Sequence, residues 1–394
     1  MAKVIVVGGG PAGLACAAEL AKRGVSCTVL EKEEDLGGRI NELSCKGLVH
    51  CRQCDVCRVH RLKDQVLGQA SVSVITNVLL DQVERSNGRY RFDLRRPMEA
   101  IDTGRCSRCG KCVEACPTGA MTKVAGKIRL ERAKCRSIQG LECERCVSVC
   151  PTGAVDLFGE EQLNVCGETV VVATGSSVFK AEDDRRLGHG EVPGVITSLE
   201  LESFLEGRRS LEVGDQPKMA FVLCVGSRTC RSGTNICSSV CCRYSLRQAL
   251  SLKERFPKAE ISMFIMDWRG MGEDDPLLAE LGRSDIKVVR SRPAEIGDGG
   301  GRPVIRYAAG DEVLVREFDM VILALGLVPR SEDELADQLS IPRDAQGFLV
   351  SESCEERNII VAGSCAGPKD IKRCVAEGTL AARKALVRMG DEDG

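Results

Sequence analysis

Residues 3–39 read KVIVVGGGPAGLACAAELAKRGVSCTVLEKEEDLGGR. Lys3 to Val7 is a short run of Val and Ile with the composition of a buried strand, and Val25 to Leu30 is a second such run. Between them Leu14, Ala17, Ala18 and Ala21 repeat at helical spacing, and Gly24 closes the helix. Gly8, Gly10 and Gly13 stand in G-x-G-x-x-G register at the first strand-to-helix turn, with Pro11 and Ala12 inside it. In a βαβ unit each glycine has a separate task. Gly8 permits the tight turn, Gly10 lets a pyrophosphate approach the backbone, and Gly13 lets the helix pack close to the strand. The helix N-terminus then faces the phosphates, and Glu31 at the end of the second strand is placed for ribose hydroxyls. Strand, helix, second strand and terminal acid in this order predict a dinucleotide-binding α/β domain.

A second pattern lies further along. Cys106, Cys109, Cys112 and Cys116 stand as C-x2-C-x2-C-x3-C followed by Pro117, and Cys135, Cys143, Cys146 and Cys150 as C-x7-C-x2-C-x3-C followed by Pro151. Three thiolates on a tight turn can cap three irons of a cube, and the fourth iron is reached from the other copy. On that pairing Cys106, Cys109, Cys112 and Cys150 hold one 4Fe-4S cluster, and Cys135, Cys143, Cys146 and Cys116 hold another. The alternative is a pair of structural zinc sites, for which this spacing and its prolines are unusual. Cys45, Cys51, Cys54 and Cys57, in a basic, loop-like segment, form a third group as C-x5-C-x2-C-x2-C. It suits a further cluster, with zinc or unligated thiols as alternatives.

The 394 residues suffice for two or three domains with cores of their own. A net charge of -2 argues against nucleic acid as the partner. No run approaches the roughly 18 apolar residues of a membrane span, and the chain enters a strand at once with no leader, so a cytoplasmic protein is expected. Its 23 cysteines, many of them in short clusters, fit metal ligation in a reducing compartment better than a disulfide framework. With three histidines and no G-x-S-x-G elbow, zinc-hydrolase and Ser-His-Asp chemistry are not expected.

The run from Glu31 to Arg39 resembles the E-K-x-x-x-x-G-G-R element of FAD-dependent flavoproteins with two dinucleotide folds, and Ala173-Thr174-Gly175 resembles the strand that closes their FAD domain. The resemblance implies FAD along Lys32, Gly38 and Arg39, with the backbone of Val78 at the adenine. A second α/β unit opens with the strand Lys218 to Val225, but runs into Cys224-Val-Gly-Ser-Arg228 and a cysteine-rich stretch where a nicotinamide domain would carry G-x-G-x-x-A. No phosphate cradle is visible there. The expected organisation is residues 1–101, 161–213 and 331–394 for an FAD domain in three parts, 102–160 for an inserted ferredoxin-like domain, and 214–330 for a NAD-domain-like unit bearing cysteines. The expected fold is therefore α/β, a two-dinucleotide-binding-domain flavoprotein of the thioredoxin-reductase-like kind with a two-cluster ferredoxin insert.

This order, together with the C-V-G-S-R run, the stretch Cys237 to Cys242 and the ending Gly363 to Ile371 with its G-P-K-D-I, resembles the A-type subunits of heterodisulfide reductase over almost the whole chain. The resemblance implies a flavin and iron-sulfur oxidoreductase component in which FAD divides electron pairs between low-potential ferredoxin and a second acceptor. It implies that Cys224, Cys237, Cys241 and Cys242 ligate another cluster, the alternative being buried thiols. Partners would be B- and C-type heterodisulfide reductase subunits, or hydrogenase- or dehydrogenase-like subunits, and ferredoxin. The additional terminal cluster domains of that family are not expected in the chain, so some electron routes would be missing or come from partners. No acid, base or nucleophile is required; Lys369, with the helix N-terminus after it, is a weak candidate beside the flavin. The rivals are a self-contained NAD(P)H:ferredoxin-type oxidoreductase and a relay adaptor that does not bifurcate. Of the remaining thiols, Cys16 and Cys27 are expected in the core, and Cys166, Cys230, Cys354, Cys365 and Cys374 have no assigned role.

Overall fold

The computed structural model describes residues 3–45, 51–208, 210, 213–230 and 233–390. They fall into two compact bodies: residues 1–76, 85–90 and 166–394 form the larger, and residues 77–84 and 91–165 the smaller.

The larger body contains two parallel five-stranded sheets. In the first, Ile359–Val361, Thr169–Val172, Val4–Val7, Cys27–Leu30 and Val72–Ile75 lie side by side in that order. Their near-continuous Val and Ile content is what a parallel sheet needs, since both of its faces are covered. One cover is the helix Pro11–Lys22, which starts on a proline at its first turn, ends before Gly24 (φ 71°) and buries Leu14, Cys16, Ala17 and Leu20. The helix Ile371–Arg388 packs against it so closely that a Cβ on Gly378 would sit 2.0 Å from the Ala12 carbonyl oxygen. The second sheet runs Val195–Thr197, Met320–Leu325, Lys218–Val225, Glu260–Ile265 and Lys287–Arg290, also parallel. A short antiparallel pair, Ser177–Val178 with Leu327–Val328, lies between the chain segments of the two sheets.

The smaller body holds the two cysteine repeats. Each repeat contributes a one-turn helix, Lys111–Glu114 and Arg145–Ser148, and between them the hairpin Met121–Val124 and Lys127–Leu130 turns at Ala125-Gly126, both with positive φ. The ends of this cysteine-bearing segment meet: Met98 N–H donates to Gly159 O at 2.8 Å, Asp102 N–H to Ala154 O at 2.9 Å, and Asp156 N–H to Ala100 O at 2.9 Å.

Several elements escape the sequence reading. The segment read as loop-like at Cys45–Cys57 already turns helical at Val56, and the helix Val56–Leu67 carries Cys57 in its first turn. Val56, Val59 and Val66 are buried on one face while its charged residues face out, a stripe that the cysteines obscure. The helix Ser198–Leu205 and the strand Glu312–Glu317 are likewise additional to that reading. No helix among the described residues is long and apolar enough to cross a membrane.

Candidate functional site

The first fingerprint turn is shaped as the glycines require. Gly8 has φ 106°, and a Cβ there would meet the Ala173 carbonyl oxygen at 2.3 Å. At Gly13 it would meet the Gly8 carbonyl oxygen at 1.8 Å, which fixes the helix against the strand. At Gly10 such a Cβ would meet nothing within 4 Å, so the backbone is open on that side. Glu31 is buried, its carboxylate accepting from Gly9 N–H at 2.7 Å and Glu33 N–H at 3.0 Å. The acid thus stiffens the phosphate turn as well as standing at the strand end. Arg39 donates to Ser176 O at 3.0 Å, while Lys32 pairs at the surface with Glu33.

Ala173 joins the sheet through its N–H to Val7 O at 2.8 Å, and Gly175 takes φ 78°. Thr174 is fixed on both ends: its hydroxyl donates to Asp333 at 3.2 Å and its carbonyl accepts from Arg330 at 3.0 Å. Gly363 has φ 82° and donates its N–H to Glu377 at 2.9 Å. Lys369 is not free: its Nζ lies 3.0 Å from both Gly363 O and the Glu377 carboxylate. Ile371 opens the last helix, whose cap Asp370 accepts from Arg373 N–H at 2.8 Å. Asp333, Arg330 and Glu377 are neighbours that sequence reasoning missed, because nothing in a lone charged residue points across a long stretch of chain to its partner. Val78 is buried and belongs to the smaller body. These open and satisfied backbone positions fit a bound dinucleotide diphosphate.

The corresponding turn of the second sheet is closed. A Cβ on Gly226 would lie 2.1 Å from the Phe179 ring, and one on Gly233 would lie 2.1 Å from the Gly226 carbonyl oxygen. That carbonyl accepts from Thr234 N–H at 3.0 Å, which ties the loop back to the strand end. Cysteines gather there. Cys224, with φ 59°, is at the strand end, and Cys241 and Cys242 open the helix Cys241–Arg255. Cys241 is held well below the ordinary thiol range because Cys224 and Cys242 donate to its sulfur, and those bonds together with burial push the other two up. Cys237 accepts from Ser239 N–H at 3.3 Å, and its charge is felt at Cys224. The structure therefore brings Cys224, Cys241 and Cys242 into contact, with Cys237 close by.

In the smaller body, Cys116, Cys135, Cys143 and Cys146 line one recess, together with Pro117, Arg136 and Leu157. Cys112 is raised by burial and by the nearby Cys150 and Cys106 thiols, and Cys146 by burial and by Cys135 and Cys116. Those neighbours follow the crossed pairing. The run C-P-T-G-A occurs twice, and each copy treats its cysteine alike. Burial pushes Cys116 and Cys150 up, but N–H groups of Thr118 and Met121, or of Thr152 and Ala154, together with a threonine hydroxyl, pull both below the usual range. Cys109 is exposed and lowered by Lys111 N–H and the Ser107 hydroxyl. Among the described residues no three His, Cys, Asp or Glu side chains converge as a single bound metal ion would require.

The third group is not assembled in this way. Cys45, Cys51 and Cys57 are exposed and Cys54 is half-buried, with residues 46–50 outside the described part. Its backbone is nevertheless anchored. Arg52 is buried between Glu254 at 2.5 Å and Glu280 at 2.7 Å, and Arg247 donates to Arg52 O at 2.9 Å and Gln53 O at 2.5 Å.

Cys16 and Cys27 are core thiols, burial pushing Cys27 up to about 12. Cys365 is buried and raised, and Cys374 is pushed by burial to about 12.

Comparison with known proteins agrees with this arrangement. A family model described as an NAD(P)-binding Rossmann-like domain matches residues 6–57, and one described as a 4Fe-4S dicluster domain matches residues 105–154. Among solved structures, thioredoxin reductase from T. acidophilum is similar with a TM-score of 0.55 at 15% identity, covering 98% of both chains. Thioredoxin reductase from Lactococcus lactis gives 0.54 at 15% identity, covering 99% of this chain and 100% of that one. The fold is thus of the thioredoxin-reductase-like two-dinucleotide type. Curated relatives include the second A-type iron-sulfur subunit of CoB–CoM heterodisulfide reductase from Methanopyrus kandleri, 30% identical. Another is the A-type subunit of the H2:CoB–CoM heterodisulfide, ferredoxin reductase of Methanothermobacter thermautotrophicus, 29% identical. Each alignment covers 98% of this chain and 64% of the relative. Over nearly its whole length the chain is thus similar to A-type heterodisulfide reductase subunits, and it spans just under two thirds of the length of those relatives.

Proposed function

We propose that the protein is the FAD-bearing electron-transfer subunit of a heterodisulfide reductase-like complex and the place where electron pairs are divided. The observation that carries this reading is the contrast between the two turns: the first has a G-x-G-x-x-G run that is open at Gly10, and the second lacks that run and gathers Cys224, Cys241 and Cys242 instead. A flavin site without a nicotinamide site favours electron exchange with protein-bound centres over direct use of NAD(P)H. Bound FAD exchanges two electrons at a time, and iron-sulfur clusters exchange one. The chain's own contribution is to bind and orient. Gly8, Gly10, Gly13, Gly38 and Arg39 would hold the diphosphate, Glu31 the ribose, and Thr174, Gly175, Gly363 and Ile371 the far end of the cofactor. Cys106, Cys109, Cys112 and Cys150, and Cys116, Cys135, Cys143 and Cys146, would hold the two insert clusters, and Cys224, Cys237, Cys241 and Cys242 a third. The group Cys45, Cys51, Cys54 and Cys57 would hold a fourth. The names of relatives, which include ferredoxin and CoB–CoM heterodisulfide, support ferredoxin and other redox subunits as partners.

The test is metal and flavin analysis on anaerobically purified protein, followed by mixing with NADH or NADPH. About sixteen irons per FAD and a flavin that neither nucleotide bleaches support the reading. Rapid bleaching by either one would make it a self-contained NAD(P)H oxidoreductase. Flavin one-electron potentials that are not crossed would leave a simple relay.

A further inference from the structure

Two of the four cysteines at the second turn accept a hydrogen bond from a neighbouring serine. Ser239 N–H reaches Cys237 at 3.3 Å, and the Ser238 hydroxyl reaches Cys241 at 3.6 Å. Beside Cys224 stands the guanidinium of Arg228, whose positive charge opposes the rise of that thiol. Its charge sets it apart from the two serine donors.

Arg228 is held with care. Its own N–H donates to Ile236 O at 3.0 Å, and its carbonyl accepts from Arg292 at 2.8 Å. Its guanidinium is paired with Asp267, whose other oxygen accepts from Arg269 Nε at 2.8 Å. Asp267 in turn offers its backbone carbonyl to the Cys242 thiol at 3.8 Å. Thus the ion pair of Arg228 and Asp267 adjoins the cysteine group, tied to it through the Asp267 carbonyl. Arg228 is 22% exposed, so its charge is only partly screened by water.

We infer that Arg228 sets the reduction potential of the centre bound at Cys224, Cys237, Cys241 and Cys242, making it the more oxidising exit for electrons leaving the flavin, and that Asp267 moderates the effect. The inference rests on the reading above that these cysteines ligate a cluster. Reduction adds one electron, supplied by the flavin, to a centre already carrying four thiolates, and no bond or proton need change. A fixed positive charge on a ligand sulfur stabilises the added negative charge and raises the potential. Removing the charge lowers it. Neutralising Asp267 leaves the cation unbalanced, so the shift takes the opposite sign.

The experiment is a redox titration followed by electron paramagnetic resonance on the full chain, comparing wild type with Arg228→Met, Asp267→Asn and Cys241→Ser. Cys241→Ser identifies the centre: its loss of about four irons and of one signal supports the underlying reading, and unchanged iron would overturn that reading alone. With the centre so identified, Arg228→Met is expected to keep the iron and to disfavour its reduction by tenfold or more, about 59 mV for one electron. Asp267→Asn is expected to move the same signal upward while the insert signals stay in place. Full iron with unmoved midpoints in both variants overturns the role of Arg228. Should Arg228→Met lose the centre altogether, Asp267→Asn decides: an upward shift upholds the inference, and no shift or a downward one ends it.

Discussion

Gly10 and Gly13 sit close together in one turn and answer to different demands. A Cβ at position 13 collides with the Gly8 carbonyl, whereas one at position 10 meets no protein atom within 4 Å. Gly13→Ala is therefore expected to destabilise the protein by a few kcal/mol, as overpacking does, seen as a lowered unfolding midpoint. Gly10→Ala is expected to fold normally and to lose flavin, measured by absorbance after gel filtration. A Gly10→Ala protein with full flavin would remove Gly10 from the diphosphate site. Both glycines were legible in the sequence because their spacing encodes a backbone shape. Arg228 was legible only as part of a motif; its work depends on Asp267, 39 residues away, and on a loop whose path no local pattern announces.

The helix Ser198–Leu205 shows the same limit for a whole element. It begins with a capping box in which the Thr197 hydroxyl accepts from Glu200 N–H at 3.2 Å and the Glu200 carboxylate accepts from Thr197 N–H at 2.7 Å. The signature T-x-x-E was present in the sequence, but eight residues between two strands give little periodicity to read. The helix matters because Glu202 on it accepts from both the N–H and the hydroxyl of Ser44, and from Gln248 on the helix that Cys241 opens. Burial raises the Glu200 carboxyl, but bonds from Thr197 and His189 outweigh it and hold the group below its usual range. The stabilisation is complete above the unfolded carboxylate value of about 4.3 and is lost as pH falls through the lower folded value. Thr197→Ala is expected to cost about 1 kcal/mol at neutral pH and to flatten that acid loss, as read from denaturant unfolding at neutral and at acid pH. The parallel strand Lys218–Val225 was read to the residue, since a long apolar run between Pro217 and Gly226 admits few other assignments.

For the molecule as a whole, the main surprise available to the sequence was that a cysteine-rich module interrupts a flavoprotein, and the repeated spacing made this plain. What it could not supply was how the interruption is closed. Met98 and Gly159 are hydrogen bonded, so the segment between them leaves and rejoins the chain at one place. Replacing residues 99–158 by a short glycine linker is expected to keep FAD and to remove about eight irons, measured by metal and flavin analysis. Loss of flavin as well would mean that the insert supports the dinucleotide fold.

The crossed pairing of the two C-P-T-G-A copies has a mechanical side. Cys116 precedes the exposed Ala125-Gly126 tip and shares its recess with Cys135, Cys143 and Cys146, which follow it; Cys150 neighbours Cys112 in the opposite sense. Two clusters bound in this manner would act as rivets driven through both halves. A protease cut at that tip is expected to leave the halves together on a native gel and to let them separate, under mild denaturant, only once a chelator has taken the iron.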